Sequence, residues 1–216
     1  MKRLQIAIKY LLDKIVAILL AIILFPLWLL IMVAIKLDDG GPVFFCQDRL
    51  GKDGKIFKIY KFRTMIVDAD KYLDEKGRVV NKNRITRVGK ILRKLSLDEL
   101  PQLINIIKGD MSIIGPRPAL PSHLPRYTEW QKRRLLMKPG VTGLAQVNGR
   151  NTLKWSKRIE YDIWYIENYS LWLDLKILLK TIKVVLLREG IVLDRNPQDV
   201  DDLAPPPNVT QQNSNG

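Results

Sequence analysis

IVAILLAIILFPLWLLIMVAI, residues Ile15 to Ile35, carries no charged side chain and holds a proline, Pro26, near its centre. A run of this length can cross a bilayer as one helix. Pro26 works against that. It has no backbone N–H to donate, and its ring presses on the carbonyl four residues back, so the helix kinks or breaks there. The flanks are basic on both sides: Lys2, Arg3, Lys9 and Lys14 before the run, Lys36 and Arg49 after it. A spanning helix ordinarily has its excess of Lys and Arg on the cytoplasmic side, and neither flank here reads as translocated. A re-entrant helix that turns at Pro26 and leaves by the same membrane face fits both observations. A kinked spanning helix fits the length equally well. A signal peptide fits poorly, because the run exceeds an ordinary h-region and no small-residue cleavage site follows. The fold is therefore read as an anchor, residues 1–37, and a remainder that folds outside the hydrocarbon.

The chain has 216 residues, enough for one ordinary domain beside the anchor. Its 36 Lys and Arg against 22 Asp and Glu leave a formal charge of +14. That excess favours polyanionic partners: nucleic acid, nucleotide phosphates or an anionic lipid surface. Cys46 is the only cysteine and His123 the only histidine. A disulfide framework is excluded, and a zinc site lacks its usual ligands. Cys46 falls in the apolar run Val43–Cys46, where a buried structural thiol is expected.

Beyond the turn cluster Asp38–Pro42, the runs Val43–Gln47 and Lys55–Arg63 predict a hairpin around Gly51–Gly54. Asp68–Arg84 is polar and reads as a surface loop with some helix. Val88, Ile91, Leu92 and Leu95 have helical spacing, and Leu100–Lys108 predicts a second short helix ended by Gly109. Gly115-Pro116-Arg117-Pro118 lies in a rigid loop, Thr128–Met137 reads as a basic helix, and Lys138–Asn151 is too rich in glycine to be a regular helix. Thr152–Glu189 reads as two helices broken near Asn168–Ser170. Its Trp155, Trp164, Trp172, Tyr161, Tyr165 and Tyr169 suit either a membrane-interface belt or core packing. The tail, residues 194–216, is rich in Pro, Asn, Gln and Asp from Asn196 onward and is expected to be disordered. The fold class is α/β, mostly α: a helix-rich unit over residues 38–193 with one short β-hairpin.

Ser96-Leu97-Asp98-Glu99-Leu100-Pro101-Gln102 places two adjacent carboxylates in this basic chain. One reading is helix capping, by the pair Ser96 and Glu99 or by Asp98 with Pro101 in the first turn. The other is chemistry on phosphate: an ionised Asp can attack phosphorus and form an acyl phosphate. Neighbouring carboxylates diverge by about 100° on a helix, which does not suit a glycosidase, whose two carboxyl groups face each other about 5 Å or more apart. One nucleophile beside one Mg2+ ligand fits better. Lys61, Arg93, Arg117 and Arg150 are candidate phosphate binders, although taken singly a surface charge is the commoner role of such a residue. Arg117 is the exception, since flanking prolines hold it rigidly, as bidentate phosphate recognition requires. Pro139–Gly143 could bring backbone N–H groups to an anion or be an ordinary turn. It is no Walker loop, and nucleic-acid-binding motifs are absent.

Five longer motifs carry a resemblance: KIFKIYKFRTM (Lys55–Met65), LSLDELPQL (Leu95–Leu103), KGDMSIIGPRP (Lys108–Pro118), KPGVTGLAQVNGRN (Lys138–Asn151) and EYDIWYIENYSLWLDLKIL (Glu160–Leu178). In this order they resemble the bacterial sugar transferase family, the polyprenyl-phosphate sugar-1-phosphate transferases with a re-entrant membrane helix. The likeness runs from about Met1 to Leu193. It implies a catalytic domain on the cytoplasmic face of the bacterial inner membrane. It implies transfer of a sugar-1-phosphate from a UDP-sugar to undecaprenyl phosphate, with Mg2+ as cofactor. Asp98 matches the nucleophile, and Glu99 its partner, with both near the metal. Lys61, Arg93, Arg117 and Arg150 match residues that bind phosphates or order the dyad, and Gln146 and Asp162 lie in matching motifs and count with them as substrate- or phosphate-binding residues. Phe25 stands where the family often has Ser before the helix-breaking proline, so a hydroxyl that could satisfy a freed carbonyl is missing. The rival reading is an anchored, non-catalytic basic protein that binds nucleic acid or anionic lipid, which leaves the paired carboxylates idle. The resemblance argues against a nucleic-acid partner; dimerisation and the identity of the sugar stay open.

Overall fold

Helix α1 (Lys2–Ile23) and helix α2 (Phe25–Asp39) meet at Leu24 with a bend of 62° in the computed structural model, which describes residues 2–72, 84–149, 152–187 and 197–205. The break follows from Pro26. It occupies the first turn of α2, where a missing N–H forfeits no helical bond. No side chain caps this start, in keeping with the absent hydroxyl at position 25. Among the described residues no single helix is long and apolar enough to cross a membrane; the bent pair together is. Ile22, Ile23, Phe25, Leu30, Val33 and Leu37 around the bend are exposed, whereas Trp28, Ile31 and Ile35 pack into the main core.

The amino-terminal half of α1 is built into the body. Lys9 is buried between Asp13 at 3.2 Å and Asp174 at 2.9 Å. Tyr165 donates its hydroxyl to Asp174 (2.6 Å), and Ser112 donates to Asp13 (2.5 Å). Buried charges persist when they are both paired and hydrogen-bonded, as these are. Lys138 donates its N–H to the Tyr10 hydroxyl and lays its ammonium 4.5 Å from the ring centre. The other end of the bent pair is strapped as well. The Asp39 carboxylate receives a fork from Arg63, and Asp38 accepts from the Val88 N–H at the start of α3 (Arg87–Leu95). The expected boundary at residue 37 thus falls inside α2.

The predicted hairpin is present as β1 (Phe44–Leu50) and β2 (Ile56–Phe62), antiparallel from Phe44↔Phe62 to Leu50↔Ile56. Helix α4 (Gln102–Lys108) is fixed on it by Asn105, which is wholly buried. Its carbonyl accepts from Tyr60 N–H (3.0 Å), and its amide donates to the Lys58 carbonyl (2.7 Å). A second sheet was not foreseen: β3 (Ser112–Ile114) and β4 (Gly140–Thr142) pair in parallel. Its glycines serve close approach. A Cβ at Gly140 would lie 2.1 Å from the Gly115 nitrogen, and the Gly140 N–H is spent on the Pro116 carbonyl at 2.9 Å. The loop read as a potential anion cradle is therefore a backbone seam.

The expected basic helix over 128–137 is a short α5 (Glu129–Lys132) followed by a 3-10 turn over Arg133–Leu136, in which Arg134 is wholly buried instead of solvated. Helices α6 (Leu144–Val147), α7 (Trp155–Glu167) and α8 (Leu171–Leu186) complete the body, and Ser170 caps α8 at the expected break. The aromatic residues divide: Tyr165 and Tyr169 are core, while Trp164 and Trp172 are exposed.

Two expectations are corrected where the residues are described. Cys46 is exposed, because among the described residues β1 pairs with β2 alone and Phe44–Cys46 lines a cavity. Residues 197–205 are docked. Asp201 takes a two-bond fork from Arg126 (2.8 and 2.9 Å), Asp202 accepts from the Ser156 N–H at the start of α7, and Leu203 packs with Leu50, Ala119 and Ile159. The acids that made the tail read as solvated are paired. Residues 73–83 of the polar run, and 194–196 and 206–216 of the tail, lie outside the described residues.

His123 lies in the 3-10 segment Pro121–Arg126, buried edge-on against Trp155 at 4.6 Å, and its Nδ1 has no hydrogen-bond partner. Burial pushes the imidazole down to about 4; Asp201 opposes this, while Arg126, Arg134 and Arg49 add to it. The unfolded chain takes up the proton near 6.5, which the folded state refuses. Stability should therefore be complete above about pH 6.5 and fall towards pH 4, by up to about 3 kcal/mol. His123→Phe should flatten that slope in urea melts across pH, and an unchanged slope would contradict the burial argument.

Candidate active site

Helix α3 ends at Leu95, and Ser96 takes the left-handed conformation (φ 57°), its N–H returning to the Arg93 and Leu92 carbonyls. This sharp turn sends Leu97–Glu99 off as a separate 3-10 turn before Pro101 begins α4. A left-handed non-glycine residue costs on the order of 1–3 kcal/mol and is held only where its surroundings demand it. The capping reading of this stretch fails. No side chain caps the 3-10 turn, and Pro101, which has no N–H to satisfy, stands at the N-cap of α4 in place of Asp98. Asp98 is thus released from a structural duty.

The carboxylates open into a cavity of about 970 Å³. Lys61, on β2, binds Glu99 at 2.7 Å. Arg93, on α3, donates its Nε–H to the Thr64 hydroxyl at 2.8 Å. Burial pushes the Asp98 carboxyl above the usual range; Lys61 opposes this, adjacent Glu99 reinforces it, and Arg93 opposes it again. Asp98 is thus a poorly hydrated carboxyl whose charged form two cations, Lys61 and Arg93, favour against burial; when ionised, such a carboxylate is suited to nucleophilic attack. Arg117 and Gln146 line the same cavity, as do the apolar side chains of Phe44, Leu95, Val141, Val184 and Val185. Gln146 is buried, with neither amide atom hydrogen-bonded.

Among the described residues no cluster of three or more Asp, Glu, His or Cys side chains could hold a metal ion. Asp98 and Glu99 supply two carboxylates. Mg2+ takes one or two and completes its shell with phosphate oxygens and water, so this pair fits the ion when a phosphorylated substrate shares it.

A family model described as bacterial sugar transferase matches residues 4–188. The chain belongs to this family. It is therefore an enzyme, and the non-catalytic alternative raised by its charge falls away. The transferase is 49% identical over 185 residues to an uncharacterized sugar transferase, EpsL, of Bacillus subtilis, covering 85% of this chain and 90% of that one. It is 41% identical over 203 residues to the undecaprenyl-phosphate galactose phosphotransferase of Salmonella typhimurium (88% of this chain, 42% of that one). It is 47% identical over 184 residues to the UDP-glucose:undecaprenyl-phosphate glucose-1-phosphate transferase of Klebsiella pneumoniae (81% and 39%). The transferase thus spans most of the Bacillus protein and about two fifths of the other two.

Of the residues singled out from sequence, six line one cavity of the transferase: Lys61, Arg93, Asp98, Glu99, Arg117 and Gln146. Arg150 lies outside the described residues. Asp162 does not reach the cavity. It is wholly buried and bound to Arg134 at 2.5 Å, while Arg134 also donates to the Arg117 carbonyl (2.8 Å) and the Tyr127 hydroxyl (2.7 Å). Burial pushes Asp162 up to about 6, opposed by Arg134 and by the Arg117 backbone. The expected substrate-binding role of Asp162 is corrected to a positioning one: with Arg134 it fixes the loop that presents Arg117. Arg49 was read only as a flanking charge, yet it lines the cavity. The signal was strand alternation, which puts Phe45, Gln47 and Arg49 on one face of β1.

Proposed function

We propose that the transferase moves a sugar-1-phosphate from a UDP-sugar to undecaprenyl phosphate through a phosphosugar-aspartyl intermediate on Asp98, releasing UMP. The carrying observation is the Asp98 carboxylate, free of any capping role, in a cavity lined by both cations and apolar side chains. The printed names of the Salmonella and Klebsiella relatives support undecaprenyl phosphate as acceptor, and the Klebsiella name supports a UDP-sugar donor. An Asp98 oxygen bonds to the β-phosphorus as the bond from that phosphorus to the bridging oxygen breaks. UMP leaves with the electron pair. An oxygen of the lipid phosphate then bonds to the same phosphorus, and the Asp98 carboxylate is regenerated. Lys61, Arg93 and Arg117 offset the charge that gathers on the phosphoryl oxygens. Gln146 lines the cavity with its amide atoms buried and without hydrogen-bond partners, and a donor would have to draw that amide out to use it. Asp98 and Glu99 would hold Mg2+, which would further neutralise the diphosphate.

The bent pair α1–α2 supports a re-entrant anchor on the cytoplasmic face of the bacterial inner membrane. The soluble donor and the lipid acceptor can then meet on one basic platform. Single cysteines at Lys2 and Asp53, in a Cys46→Ser background, should both react with an impermeant reagent from the same side; labelling from opposite sides would establish a spanning helix. A panel of UDP-sugars with undecaprenyl phosphate should yield UMP from at least one donor. Absence of release across the panel would contradict the proposed activity.

A further inference from the structure

Residues 197–205 lie beyond residue 188, where the family match ends, yet they are fastened to the body. Arg126 gives its fork to Asp201 and also donates to the carbonyls of Leu203 (2.8 Å) and Ala204. Asp202 accepts two bonds from Ser156, from its N–H at 2.9 Å and from its hydroxyl at 2.5 Å. Leu203, 7% exposed, shares one buried cluster with Leu50, Ala119, Tyr127 and the α7 residues Ile159 and Ile163. Ordering a tail costs about 1–2 kcal/mol per residue. A two-bond fork, charge-assisted hydrogen bonds and a buried leucine offset that cost.

These contacts surround the loop that carries Arg117. The chain leaves Pro118 into Ala119, whose carbonyl accepts from the Leu50 N–H at 2.8 Å and so ties the loop to the end of β1. Leu203 packs in the cluster that holds both ends of this bond. Arg126 closes the 3-10 segment Pro121–Arg126, which follows the loop. Ser156 lies in the first turn of α7, where Lys154 at the N-cap provides no side-chain bond. The Asp202 carboxylate caps that end from outside, and negative charge is favoured there. Helix α7 carries Asp162, the partner of the Arg134 that donates to the Arg117 carbonyl. Residues 197–205 do not themselves line the cavity. We propose that residues 201–203 are a positioning strap, which acts on turnover through Arg117 by fixing Ala119, Arg126 and the start of α7 around its loop. Catalysis of phosphoryl transfer is almost entirely positioning and electrostatics, and a displacement of about 1 Å can cost about 100-fold. The strap rests on the role given above to Arg117.

The test uses the full-length protein and a donor accepted in the panel above. Asp201→Asn combined with Leu203→Ser loosens the strap, and kcat for UMP release should fall by about tenfold or more. In an Arg117→Gln background the same two changes should cost less than about twofold, because the group they position is gone. Leu203→Met, which keeps the apolar contact, should stay near wild type. Equal fold-losses in the two backgrounds, or no loss in either, would overturn the strap while leaving the role of Arg117 intact. Arg117→Gln as fast as wild type would instead remove the arginine from the proposed function, and the strap with it. Amide hydrogen exchange reads the linkage without turnover. In the milder Leu203→Ala, the Leu50 N–H should exchange about tenfold faster, while the Tyr60 N–H, bonded to Asn105 on the same hairpin, should be unchanged. A Leu50 amide as protected as in wild type would overturn the strap even where the double variant misfolds.

Discussion

Asp98→Asn should abolish turnover, with UMP release falling by about 10⁴-fold or more and no phosphosugar retained on the protein. Asparagine has nearly the same shape, so the 3-10 turn and the left-handed Ser96 should be undisturbed. What changes is the charge and the nucleophilicity of one oxygen. The effect should be confined to chemistry. Burial already pushes the Asp98 carboxyl upward, so a neutral amide relieves desolvation, and the melting temperature should hold or rise. Steady-state UMP release, capture of radiolabelled phosphosugar and a thermal melt check all three. More than about a hundredth of wild-type activity in a well-folded variant would move the nucleophile elsewhere.

Arg134→Met should be the most destabilising single change. It strands Asp162 as an unpaired buried carboxylate and strips hydrogen bonds from the Tyr127 hydroxyl and the Arg117 carbonyl. Breaking one side of a buried pair costs about 3–5 kcal/mol, which in a chain of this size lowers the melting temperature by roughly 6–20 °C. Replacing both partners, Arg134→Met with Asp162→Leu, should recover much of the loss, because desolvation of the second charge is removed. A thermal melt of the single and double variants measures this. A single variant within about 1 kcal/mol of wild type would show that this pair does not hold the Arg117 loop.

How much of this was legible beforehand depends on the range of the interaction concerned. Pro26 and the spacing of Val88, Leu92 and Leu95 are local signals, and the helix break and α3 lie where they point. The dyad and its cations could be singled out because Lys61, Arg93 and Arg117 each sit in a short motif, although the cavity that unites them is assembled from β2, α3 and the loop after β3. Long-range pairing left no local mark. Lys9 reads as a flanking charge of an anchor, yet its partner Asp174 is on α8. Arg134 reads as part of a solvated basic helix until Asp162 arrives from α7. Asp162 was mistaken for a ligand contact because it lies in a recognisable motif, and a motif does not tell which way a side chain faces. Cys46 shows the converse error: an apolar run reads as buried, but here it edges a cavity.

Rapid mixing with an accepted UDP-sugar in the absence of undecaprenyl phosphate, followed by intact-protein and peptide mass spectrometry, addresses the covalent step directly. The protein should gain the mass of one sugar phosphate, mapped to the peptide containing Asp98. That mass should vanish on addition of undecaprenyl phosphate at the rate of turnover. A protein mass that never changes, together with UMP release only when both substrates are present, would contradict the aspartyl intermediate.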